Sequence, residues 1–85
     1  MKSFSYVLTD AEGIHARPAG ELVKKCKGYA SKITIIKDGK VANAAKILAV
    51  MSLGAKQGQT VEFQIEGADE DVAAAELEAF MKENL

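Results

Sequence analysis

Phe4, Tyr6 and Leu8 alternate with Ser5, Val7 and Thr9, the period of a strand with one strongly apolar face. The DAEG stretch at Asp10–Gly13 breaks that pattern. From Ala16 the period changes. Ala19, Leu22, Val23 and Cys26 fall at i, i+3, i+4 and i+7, which is one face of a helix. Lys24, Lys25 and Lys27 lie off that face, the last two near the helix end, where cations complement the dipole. Gly28 is the expected stop.

Lys32–Lys37, KITIIK, reads as a second strand, and Asp38-Gly39 as a two-residue hairpin turn, since both positions tolerate positive φ. Lys40–Ala42 is its expected short partner. Asn43 is expected to cap a second, shorter helix, with Ala44, Ile47, Leu48 and Met51 as its apolar stripe and Gly54 as its end. Thr60–Glu66 alternates cleanly, with Val61, Phe63 and Ile65 on one side and Glu62, Gln64 and Glu66 on the other. Asp69 is the expected cap of a last helix that carries Glu70 and Asp71 in its first turn and Leu77, Phe80 and Met81 on its core face. The order is β-α-β-β-α-β-α. A polar strand face leaves one side of the sheet wet, which predicts an α+β two-layer sandwich with an antiparallel sheet and three helices on one face. No repeat, linker or low-complexity tract divides the chain, so residues 1–85 read as a single domain.

Composition narrows the function. A core built from 48% apolar residues without tryptophan must be largely aliphatic. The formal net charge of −1 lacks the basic surplus of a nucleic-acid binder, and the central strands lack an aromatic pair for base stacking. The charge is uneven, however: Lys24, Lys25 and Lys27 cluster in the first half, while Asp69, Glu70, Asp71, Glu76 and Glu78 crowd the last third. The lone Cys26 excludes an intrachain disulfide and shares the buried helix face, which reads as packing rather than reactivity. Metal-binding spacings such as CxxC are absent. No apolar run is long enough to insert in a membrane and nothing resembles a signal peptide, so the expected setting is the cytoplasm.

The chemistry concentrates in residues 13–20, GIHARPAG, which hold the only histidine and the only proline. Pro18 suits a first helical turn, where its missing N–H costs no hydrogen bond. With Ala16 as the first helical residue, His15 is the N-cap, and the free amides of Ala16 and Arg17 form an anion site beside the imidazole. The Arg17 guanidinium suits phosphate oxygens. The helix field disfavours imidazolium, so a neutral, nucleophilic ring is expected. A nucleophile beside an anion site reads as a phosphoryl acceptor. Neither Mg²⁺ ligands nor a nucleotide loop accompanies it, so no cofactor is expected and the donor is another protein or a small high-energy phosphate. The residues alone also allow a capping histidine without chemistry. Likewise, the lysines near Lys24 fit a plain solvated face. Ile47, Leu48 and Met51 fit either core or an exposed partner patch.

GIHARPA at 13–19, DGK at 38–40, VMSLGAKQG at 50–58 and EGADE at 66–70 together resemble HPr, the histidine-containing phosphocarrier family of the phosphoenolpyruvate-dependent sugar phosphotransferase system, nearest to its Gram-positive form. The resemblance implies an open-faced β-sandwich with strand order 1-4-2-3. It implies that His15 takes a phosphoryl group at Nδ1 from phosphorylated enzyme I and passes it to the IIA domains of sugar permeases. Arg17 then steadies the phosphate, while Ile47, Leu48 and Met51, with Lys24 and Lys27 nearby, dock both partners. Transcriptional or metabolic regulators are further implied partners. The protein is then a carrier with a phosphohistidine intermediate rather than a free-standing enzyme.

Three departures qualify the match. Lys46 stands where many members carry a regulatory serine, and it cannot accept a phosphate ester, so that switch is expected to be absent; Ser52 is a poor substitute. Ala45 occupies a position that is often lysine, so Ala45-Lys46 moves the charge by one residue, about 100° around a helix. Gly20 falls inside the first helix, at roughly 1 kcal/mol relative to alanine. Lys46 keeps open a paralogue serving a nitrogen-related or regulatory relay, or a non-catalytic interaction module.

Overall fold

The computed structural model describes residues 1–85. Its elements are β1 (Lys2–Val7), α1 (Ala16–Lys27), β2 (Lys32–Lys37), β3 (Lys40–Asn43), α2 (Ile47–Ser52), β4 (Thr60–Glu66) and α3 (Glu70–Asn84). The four strands form one sheet in the order β1-β4-β2-β3, with every neighbouring pair antiparallel. This is the two-layer antiparallel arrangement with the helices on one face that the alternation predicts, in the open-faced form and strand order that the family resemblance implies.

The register explains the core. Phe63 of β4 lies opposite Phe4 of β1 and Ile35 of β2. Its ring stacks on that of Phe4, with centroids 4.8 Å apart. Val61, Phe63 and Ile65 are fully buried together with Ile33 and Ile35, beneath Ala19, Leu22, Val23 and Cys26 of α1 and Ala73, Leu77 and Met81 of α3. Asp38 and Gly39 both have positive φ, 50° and 79°, as a tight hairpin turn between β2 and β3 demands.

Two helix-cap expectations, at Asn43 and Asp69, are corrected. Asn43 does not cap α2. It ends β3, and its Oδ1 accepts the Ala45 amide at 2.9 Å, closing a turn before the helix starts. The N-cap of α2 is Lys46, whose side chain makes no capping bond. This later start changes which residues face inward: Val50 is the buried residue of α2 and Leu53 follows it inside, whereas Ile47, Leu48 and Met51 are exposed. Asp69 stands at the N-cap of α3 without capping it, because its carboxylate is taken by the β2 approach. One oxygen accepts the Ala30 amide at 2.8 Å; the other accepts the Ser31 amide at 3.0 Å and the Ser31 hydroxyl. Gly28 ends α1 as expected, with a right-handed φ of −79° rather than the left-handed conformation that favours glycine, and its amide closes the helix on Lys25 and Cys26.

Candidate functional site

The segment leading into α1 is held from three sides. Leu8 is buried; its amide donates to Gln59 O at 3.0 Å, and its carbonyl accepts the Gly58 amide at 2.8 Å. The carbonyl oxygen of Leu85, at the end of α3, accepts from the amides of Thr9 and Asp10 and from the Thr9 hydroxyl. Asp10 then closes a turn on itself: its Oδ1 accepts the Glu12 amide at 2.8 Å and its carbonyl accepts the Gly13 amide at 2.9 Å. Gly13 has φ +64° and lies against the backbone of the loop after α2. A Cβ there would meet Ala55 O at 2.3 Å and Lys56 Cα at 2.6 Å. The next residue, Ile14, is buried and donates its amide to the same Ala55 oxygen at 3.0 Å.

This scaffold delivers His15 to the N-cap of α1 with an extended backbone, φ −110° and ψ −178°, and its carbonyl accepts the Ala19 amide at 3.0 Å. Pro18 is fully buried in the first turn. No backbone acceptor takes the amides of Ala16 and Arg17, so the expected pair of free donors stands beside the ring. The imidazole is 30% exposed. Two carboxylates bracket it: Asp10 Oδ1 lies 3.8 Å from Nε2, and Glu12 Oε2 lies 3.6 Å from Nδ1. The ring therefore sits between opposing fields, the helix amides on one side and two anions on the other.

Arg17 is oriented differently from the simplest expectation. Its guanidinium pairs with Glu21, one turn along α1, at 3.6 Å, and is largely exposed, so it is free to swing. Lys24 and Lys27 are exposed on α1. On α2, Leu48 is 80% exposed, with Ile47 and Met51 more than one third exposed beside it. The two helices meet where a Cβ on Gly20 would lie 3.7 Å from Ile47 Cδ1, so the apolar patch adjoins the helix that His15 begins. Cys26 is buried, and desolvation pushes its thiol up to about 12, so it is protonated at neutral pH and takes no part.

Sequence reasoning missed Asp10, Glu12 and Leu85. Glu12 and His15 are three residues apart, yet that spacing means proximity only once a turn is known to fold there. Leu85 is remote in sequence and carried no signal.

Residues 2–83 match the family described as "PTS HPr component phosphorylation site". The phosphocarrier protein HPr of Lysinibacillus sphaericus is 42% identical over 83 residues, which is 98% of this chain and 94% of that protein. Among solved structures, the histidine-containing phosphocarrier protein of a mycoplasma superposes with a TM-score of 0.93 at 36% identity, over 96% of this chain and 93% of that one. An HPr of Thermoanaerobacter tengcongensis gives 0.92 at 36% identity, over 96% and 92%. No helix is long and apolar enough to cross a membrane. With the fold, its strand order and nearly the whole chain in agreement, the protein belongs to the HPr family, the phosphocarriers of the phosphotransferase system, and its partners are enzymes of that system.

Proposed function

We propose that residues 1–85 act as one HPr unit that accepts a phosphoryl group at His15 Nδ1 from phosphorylated enzyme I and hands it to IIA domains of sugar permeases in the cytoplasm. The observation that carries this reading is the N-cap position of His15, with a partly exposed ring beside the two unpaired amides of Ala16 and Arg17. In the forward step the Nδ1 lone pair bonds to phosphorus while the donor's N–P bond breaks and its electron pair returns to the donor imidazole. Nε2 keeps its proton throughout, and Asp10 faces it. The two amides and the helix field stabilise the oxygens in transit. Arg17 leaves Glu21 and turns to the phosphoryl group, a movement that its exposure makes inexpensive. Because donor and product are both N-phosphoryl imidazoles, little free energy is lost in the hand-over, and the reverse transfer to the next partner is equally accessible.

Ile47, Leu48 and Met51 supply an apolar docking surface, and Lys24 and Lys27 steer partners that present acidic faces. Lys46 at the N-cap of α2 offers no hydroxyl, which supports a carrier without a serine switch at that position. It also motivates the second reading, a paralogue serving a nitrogen-related or regulatory relay through transcriptional or metabolic regulators.

The test is incubation with enzyme I and phosphoenolpyruvate, followed by mass spectrometry. The wild type should gain one acid-labile, alkali-stable phosphoryl group and His15→Ala none. A protein that stays unmodified under conditions that load an authentic HPr, yet binds a regulator equally well with and without His15, would establish the interaction-module reading instead.

A further inference from the structure

Resting on the role of His15 above, we propose that Glu12 is a positioning residue that works against the loaded state: its carboxylate competes with the phosphoryl group at Nδ1, raises the transfer potential of the loaded carrier and shortens its lifetime. Glu12 Oε2 lies 3.6 Å from Nδ1, in the space that the oxygens of a phosphoryl group on that nitrogen must enter. The approach is built in. The Glu12 amide is tied to Asp10 Oδ1 and the Gly13 amide to Asp10 O, which fixes the Glu12 backbone three residues ahead of the ring. Its side chain is 73% exposed and can move away, so it does not block loading.

The balance of charges gives the sign. Before transfer, Glu12 faces a nitrogen that carries no negative charge. After transfer the same nitrogen carries a phosphoryl dianion. The carboxylate must then withdraw or repel it. Either way the loaded form is raised relative to the unloaded one. Loss of the group to water, in which the N–P bond breaks, water oxygen bonds to phosphorus and the electron pair returns to Nδ1, relieves that repulsion. Asp10 differs, because the turn fixes it at Nε2, on the far side of the ring. Two charges near 4 Å in solvent, reduced by screening, correspond to about a threefold to tenfold effect.

The test compares wild type, Glu12→Gln and Glu12→Asp. Each is loaded by enzyme I and phosphoenolpyruvate, separated from enzyme I, and followed for loss of acid-labile phosphate at neutral pH in low and high salt. Glu12→Gln should hold its phosphoryl group about threefold to tenfold longer in low salt. The charge-retaining Glu12→Asp should stay close to wild type, and the gap should narrow in high salt. The urea midpoint, which a merely structural role would move, should not follow the lifetimes. Discharge of Glu12→Gln at the wild-type rate or faster, or failure of that variant to load while wild type loads, would overturn the inference and leave His15 intact. A wild type that never loads would bring down the His15 reading itself, and this inference with it.

Discussion

Replacing Gly13 by alanine probes the support beneath His15. Two costs add. A Cβ at φ +64° raises the energy of that residue by about 1–2 kcal/mol, partly offset by the lower entropy of the unfolded chain. The new carbon would also stand 2.3 Å from Ala55 O and 2.6 Å from Lys56 Cα. Both are backbone atoms, so no side-chain rotation relieves the clash. The 54–56 loop must move, at an overpacking cost of about 1–3 kcal/mol. That movement weakens the Ile14 N–Ala55 O bond, for about 1 kcal/mol more. The total is about 3–5 kcal/mol, a large part of the stability of a small domain. Gly54→Ala is the control: its φ is +63°, but a Cβ there meets nothing within 4 Å, so it should cost about 1 kcal/mol. Urea denaturation of both variants at pH 7 isolates the contact. Gly13→Ala should be the less stable of the two by about 2 kcal/mol or more, which thermal melting would report as a gap of roughly 10 °C. A difference under about 1 kcal/mol would refute the close packing of this turn.

Gly20→Ala should stabilise the fold by about 0.5–1 kcal/mol, since its Cβ would make only an ordinary contact with Ile47 and alanine is the better helix former; a loss in urea denaturation would contradict that. Leu48→Ala should leave stability within about 0.5 kcal/mol while slowing phosphoryl transfer, whereas Leu53→Ala, which empties a buried site, should cost about 2–5 kcal/mol; equal stability losses would place Leu48 in the core. The Ser31 hydroxyl, then the Ala30 amide, hold the Asp69 carboxyl below its ordinary value. A depressed folded-state value gives stability that is present above the unfolded aspartate value, about 4, and lost as pH falls through the lower folded one. Melting temperature should therefore drop on acidification below about pH 4, and Asp69→Asn should flatten that drop; an unchanged acid limb would remove Asp69 from the account.

The elements whose evidence is local were legible from the sequence. KITIIK at Lys32–Lys37, the Asp38-Gly39 turn and TVEFQIE at Thr60–Glu66 fold over the residues expected, because alternation and turn chemistry act within a few positions. The start of α1 at Ala16 followed from the change of period there together with Pro18 in the first turn, and this placed His15 at the N-cap. What failed depends on distant partners. Asp69 carries the signature of a helix cap, but Ala30 and Ser31 offer it three donors, which outcompete the amides of α3. Asn43 has the same signature and spends it on Ala45. The resulting shift in the start of α2 decided whether Ile47, Leu48 and Met51 pointed in or out, which the apolar pattern left open. Glu12 and Asp10 at the ring, and Leu85 beneath Thr9, are products of tertiary closure that no short-range period encodes.

The central claim is that one particular nitrogen of His15 carries the phosphoryl group. Protein labelled with ¹⁵N at histidine, loaded by enzyme I and phosphoenolpyruvate and examined by ³¹P and ¹⁵N NMR, tests it directly. The account predicts a single ³¹P resonance coupled to Nδ1 of His15. A phosphorus signal coupled to Nε2, or one that persists in His15→Ala, would contradict it.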